Sequence, residues 1–66
     1  MRITVNEEAR DVADAASVST LLESLSLPGT RVAVEVNKVL VRRAQHATQV
    51  LAEGDAVEIV TLVGGG

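Results

Sequence analysis

Met1, Ile3 and Val5 alternate with Arg2 and Thr4, the period-two pattern of a strand with one buried face, and predict a first strand over residues 1–5. Asn6-Glu7-Glu8 reads as a polar turn. The short stretch 9–13, Ala-Arg-Asp-Val-Ala, is expected to return as a hairpin partner whose inward residues are few and small. The period then changes. Val18, Leu21, Leu22 and Leu25 stand at i, i+3, i+4 and i+7, one apolar stripe of a helix, with Ser17 placed as N-cap and Thr20-x-x-Glu23 as an alternative capping box. Pro28-Gly29 is expected to close that helix.

Period two resumes in 30–37, where Val32, Val34 and Val36 fall on one face and Arg31, Ala33 and Glu35 on the other. Asn37-Lys38 turns the chain into a short strand, Val39, Leu40 and Val41. Residues 42–53 lack a clean period and predict an irregular connection with a helical turn, ended by the turn Glu53-Gly54-Asp55. Residues 56–63 form the last strand and run directly into Gly64-Gly65-Gly66. The order β-β-α-β-β-β, with one helix available to cover one face of a mixed sheet, predicts an α+β two-layer domain.

At 66 residues the chain makes one domain and leaves no room for a large enzyme. Its apolar share of 47% lies in the globular range, so a core is expected, and with no aromatic residue that core must be aliphatic. Cysteine is absent, which excludes a disulfide framework and any thiol nucleophile and makes a reducing, cytoplasmic compartment the expected setting. No leader-like stretch opens the sequence and no long apolar run suits a membrane, so a soluble protein is expected.

The net charge of −3 is unevenly placed. Arg31, Lys38, Arg42 and Arg43 face Glu35 alone within 30–43, while the flanking parts are acidic. No aromatic residue is present to stack a base, so this cluster reads as a solvated polar edge rather than a nucleic-acid site. His46 has no Asp, Glu or Cys at metal-ligand spacing, and no Ser/His/Asp set or phosphate-cradling loop precedes a helix. Neither catalytic nor metal-binding residues are expected, and a domain this small holds no cofactor pocket.

The chemistry is concentrated at the C-terminus. Gly64, Gly65 and Gly66 carry the terminal carboxylate on a tether without side chains, expected to be flexible and able to thread a narrow channel over about 10 Å. Such a tail suits delivery of a carboxylate to an enzyme that activates it on the α-phosphate of ATP, the tail being substrate rather than catalyst. By itself, a glycine terminus is equally consistent with terminal residues that have no role. The preceding strand adds a second signal. If Val57 and Ile59 face inward, Val60 and Leu62 fall where alternation asks for polar residues, an apolar patch suited to partner docking. The alternative is a central strand that the chain itself covers on both faces.

Taken together, the chain resembles the ubiquitin-like β-grasp sulfur carriers, most closely the ThiS family of thiamine biosynthesis, over essentially its whole length. The resemblance rests on the opening strand followed by Asn6, Ser17-Val18 with Leu21-Leu22, Val36-Asn37 with Val41 and Arg43, Glu53-Gly54-Asp55 and the final Gly65-Gly66. Lys38 stands where the family commonly has glycine and Arg42 where it commonly has proline, so the 37–43 turn is free to differ in shape. The resemblance implies a β-grasp domain over 1–63, with a mixed sheet of four to five strands on one helix, and a tail at 64–66. It implies that an E1-like activating enzyme of the ThiF/MoeB type adenylates Gly66 with ATP and magnesium. Sulfur from a donor such as a cysteine desulfurase then converts it to a thiocarboxylate, which supplies a thiazole synthase of the ThiG type. A carrier for molybdopterin synthesis and a β-grasp module that only docks are the alternatives.

Overall fold

Two two-residue turns organise the sheet. A computed structural model describes residues 1–62; the last residue of the predicted strand 56–63 and the predicted tail 64–66 lie outside the described residues. Strands β1 (Arg2–Val5) and β2 (Glu8–Asp11) are joined by Asn6-Glu7, and β3 (Val32–Val36) and β4 (Val39–Val41) by Asn37-Lys38. All four turn residues have positive φ, at 49° and 72° in the first turn and 51° and 68° in the second. Positive φ at both central positions defines the type I′ turn, whose twist matches that of the flanking strands, and asparagine tolerates it better than most residues.

The final strand, β5 (Ala56–Thr61), enters the middle of the sheet, giving the order β2-β1-β5-β3-β4. It runs parallel to β1 and antiparallel to β3, so the sheet is mixed and has five strands. The helix α1 (Val18–Ser24) supplies Val18, Leu21 and Leu22 to a core completed by Ile3, Val32, Val34, Val36, Val41, Leu51, Val57 and Ile59. Ile3, Val32, Val34, Val36, Val57 and Ile59 are the inward positions that alternation marks on β1, β3 and β5; Val41 comes from β4 and Leu51 from the 42–53 connection, and all are aliphatic.

Seven residues are too few for an isolated helix, so α1 depends on its ends. Ser17 caps it, its Oγ accepting the Thr20 N–H at 3.1 Å, while the Gln49 and His46 carbonyls accept the Val18 and Ser19 N–H groups, each at 2.9 Å. The C-terminal end differs from expectation: the helix stops at Ser24, ahead of Pro28-Gly29. Ser26 takes φ 58°, and the bonds from Ser26 N–H to the Glu23 carbonyl and from Leu27 N–H to that of Leu22 make a Schellman closure. Pro28-Gly29 instead leads into the 3-10 turn Gly29–Arg31.

The second strand also differs, running over Glu8–Asp11 rather than 9–13, because the turn consumes only Asn6-Glu7. Its inward residues, Glu8 opposite Val5 and Arg10 opposite Ile3, are charged and exposed rather than small. The short helix leaves a cleft of about 350 Å³ beside them, walled by Leu25 and Leu27. The connection 42–53 contains the 3-10 turn Arg43–Gln45. It ends in a turn in which Gly54 has φ 85°, the left-handed conformation that glycine adopts most readily. Among the described residues, no helix is long and apolar enough to cross a membrane.

Candidate functional site

β5 is the strand that leads to the C-terminus, and each type I′ turn fixes it. Within the sheet, the Ile59 N–H and C=O point toward β1, which has already ended. Asn6 fills the missing strand position: its Oδ1 accepts the Ile59 N–H at 2.8 Å, and its Nδ2 donates to the Ile59 carbonyl at 3.1 Å. Asn37 acts at the start of β5, accepting the Ala56 N–H at 3.0 Å and donating to Asp55 Oδ1 at 3.0 Å. The Asp55 carboxylate also accepts the Ala52 N–H at 2.8 Å, which ties the 53–55 turn to the same point. One side-chain amide from each hairpin thus holds the strand from either side.

Along β5 the faces separate as alternation requires. Val57 and Ile59 are buried, whereas Val60 is 61% and Leu62 52% exposed. Although β5 lies in the centre of the sheet, its outer face is therefore open at these two positions. Val60 pairs with the half-buried Ala33, and the Leu62 N–H donates to the Arg31 carbonyl at 2.7 Å, carrying the pairing with β3 one residue past the strand. Val60, Leu62 and Ala33 thus form an apolar patch at the end of the sheet where β5 runs toward the C-terminus. Glu58 stands opposite Glu35 on the same face, and Leu40, also opposite Glu35, is exposed beyond them. The glycines Gly64, Gly65 and Gly66 lie outside the described residues.

Other singled-out groups have structural roles. His46 is buried, with Nε2 3.3 Å from the Val41 carbonyl oxygen and its ring against Gly29, where an added Cβ would come within 3.1 Å of Nδ1. Arg2 pairs with Asp11 across the β1–β2 hairpin at 3.0 Å. That hydrogen bond, reinforced by the guanidinium charge, holds the Asp11 carboxyl below the ordinary aspartate value of 3.8. The role of Asn6 escapes sequence reasoning, since its partner is 53 positions away; its place in a two-residue turn is the one local signal.

The comparisons with known proteins agree with this architecture. The family model described as the ThiS family matches residues 2–66. The crystal structure of the thiamine biosynthesis protein ThiS from Geobacter metallireducens superposes with a TM-score of 0.85 at 33% identity, covering 100% of both chains. A protein called ycf40 from Porphyra purpurea is 37% identical over 65 residues, 97% of this chain and 90% of its own. A thiazole synthase from Paramagnetospirillum magneticum is 35% identical over 66 residues, and one from Magnetococcus marinus 36%. The chain spans only 20% of the length of each of these synthases. On the family match and the full-length structural likeness, the chain belongs to the ThiS family.

Proposed function

We propose that this chain carries sulfur on the carboxylate of Gly66 for formation of the thiazole ring of thiamine. The carboxylate attacks the α-phosphorus of ATP on an E1-like activating enzyme, with magnesium balancing the phosphate charge, and pyrophosphate leaves. A persulfide on a sulfur donor of the cysteine desulfurase type displaces AMP at the acyl carbon, and a thiol then reduces the resulting acyl disulfide, ending as a disulfide itself and releasing a thiocarboxylate for a thiazole synthase. The chain contributes the acyl group and a docking face; the activation chemistry belongs to its partners.

The observation that carries this reading is the pair Val60 and Leu62, exposed on the strand that leads to a terminal run of glycines. An apolar surface there lets a partner hold the folded part while a chain without side chains enters its active site. The segments resembling this chain within proteins named thiazole synthase favour that enzyme class as the acceptor. The absence of cysteine keeps the activated carboxylate from attack by a thiol of the carrier itself.

The test is complementation of a thiamine-requiring strain that lacks its own sulfur carrier. The full chain restores growth without thiamine, and a chain lacking Gly65 and Gly66 does not. Rescue by the truncated chain overturns the proposal.

A further inference from the structure

The sheet has two edges, β2 and β4, and charge is arranged differently on each. Lys38 stands before β4 and Arg42 and Arg43 after it. A second copy laid antiparallel along this edge and centred on Leu40 brings Lys38 against the partner's Arg42, so the edge repels its own kind. β2 reads Glu8-Ala9-Arg10-Asp11, and about Ala9 the acid on one side answers the base on the other. The same operation centred on Ala9 sets Glu8 opposite the partner's Arg10 and Arg10 opposite the partner's Glu8.

The backbone at that centre is free to pair. Met1 and Val12 exchange both bonds, the Met1 amine donating to the Val12 carbonyl at 2.7 Å and the Val12 N–H to the Met1 carbonyl at 2.9 Å. Bonded and non-bonded pairs alternate along an antiparallel ladder. Arg10, opposite Ile3, therefore bonds to β1, while Ala9 and Asp11 turn their N–H and C=O groups away from it. No turn or loop bond takes up those groups among the described residues. All of β2 is exposed, and a groove of about 310 Å³ between β2 and α1, lined in part by Arg10, Val12, Ala16 and Leu21, keeps the inner side of the edge open.

The charges at this edge are also unspent. The ion pairs among the described residues are Met1 with Asp14 and Arg2 with Asp11, and neither Glu8 nor Arg10 takes part in one. Charge selects the register as well. Centring the two copies on Arg10 sets Arg10 against itself, and centring them on Asp11 does the same to Asp11. In the register centred on Ala9, Asp11 comes beside the partner's Glu7, but Asp11 is already matched by Arg2 at 3.0 Å, and Glu7 has turned out of the strand at φ 72°.

We propose that β2 is a self-association edge. Two copies pair antiparallel about a two-fold axis at Ala9, joined by two Ala9 backbone bonds and two Glu8–Arg10 ion pairs, so that two five-stranded sheets become continuous. A second copy is the occupant because the charge order of β2 complements itself. β1 separates β2 from β5, so the dimer leaves Val60 and Leu62 uncovered and does not depend on the sulfur-carrier reading. One short strand makes a small contact, so the dimer is weak, half formed at about 0.1–1 mM, and added salt weakens it further.

The test is sedimentation equilibrium of the full chain at low salt over about 20 μM to 2 mM. Interference optics are used because no aromatic residue absorbs. The weight-average mass climbs from 6.9 kDa toward twice that value. Across the two-fold axis Arg10→Glu turns both ion pairs into repulsions and weakens association about tenfold or more; Glu8→Arg does the same with the opposite sign. Glu8→Arg/Arg10→Glu reverses the charge order and restores association to within about threefold of wild type. Arg43→Glu, with the same change in net charge beside the other edge, associates as wild type. Amide shifts of Ala9, Arg10 and Asp11 in ¹H–¹⁵N spectra move with concentration, and those of Val39–Val41 do not. Far-UV circular dichroism checks that each variant is folded. A wild-type chain that stays at 6.9 kDa throughout overturns the proposal. So does an Arg10→Glu variant that associates normally, a folded double variant that does not recover, an equal loss in Arg43→Glu, or concentration-dependent shifts confined to another face.

Discussion

Replacing Asn6 tests whether the position of β5 depends on a side chain rather than on strand pairing. Asn6→Ala removes both bonds to Ile59, at 2.8 and 3.1 Å, and leaves a partly buried N–H and C=O without partners. Each net bond is worth about 1 kcal/mol, and unmet burial adds to that, so the clamp accounts for about 1–3 kcal/mol. Asn6 also holds φ 49°, where alanine lacks the local polar contact that eases the conformation, adding about 1 kcal/mol. The expected loss of about 2–4 kcal/mol is a large part of the total of about 3–10 kcal/mol expected for a domain of this size. Asn6→Gly separates the two contributions, since glycine accepts the backbone angle and loses only the clamp. Urea unfolding followed by far-UV circular dichroism is the assay, because no aromatic residue supplies a fluorescence signal. Asn6→Gly within about 0.5 kcal/mol of wild type would refute the clamp and leave backbone conformation as the whole effect.

Further expectations concern the second turn, the hairpin ion pair and the docking face. Lys38→Gly relieves a non-glycine residue at φ 68° and raises stability by about 1 kcal/mol, seen as a higher urea midpoint with unchanged slope. Asp11 has a depressed carboxyl pKa, so its stabilising contribution is present above the unfolded value near 3.8 and is lost as pH falls through the lower folded value. The melting-temperature gap between wild type and Asp11→Asn is therefore constant near neutral pH and closes in acid; a gap that widens in acid has the wrong sign. Leu62→Glu places a charge in the apolar patch, leaves the melting temperature near that of the wild type, and weakens binding to the activating enzyme about tenfold or more in a titration. Unchanged affinity removes Leu62 from the interface.

Much of this fold can be read locally. Alternation places Ile3, Val32, Val34, Val36, Val57 and Ile59 in the core, and the 3.6-residue period with Ser17 as cap places α1, because burial of one face imposes those periods directly. The same alternation exposes Val60 and Leu62. The end of the helix is less legible, since Ser26 takes a left-handed conformation that sequence usually announces with glycine, leaving Pro28-Gly29 as the stronger apparent stop. The start of β2 is displaced for a related reason: Glu7, at φ 72°, is not a residue that marks a tight turn. The clamps at Asn6 and Asn37 are tertiary. They exist once β5 inserts between β1 and β3, and no local period encodes that insertion.

Intact mass of the chain after incubation with ATP, magnesium, a sulfur donor and an E1-like activating enzyme tests the central claim most directly. Exchange of oxygen for sulfur adds nearly the same mass as oxidation of Met1, so each sample is also treated with a thiol-alkylating reagent, which a sulfoxide does not consume. With no cysteine in the chain, alkylation has no competing thiol. The account predicts an ATP-dependent mass gain that becomes alkylated and maps to Gly66 by fragmentation. With an activating enzyme proven on another carrier, no ATP-dependent alkylation, or alkylation that persists after Gly66 is removed, would contradict it.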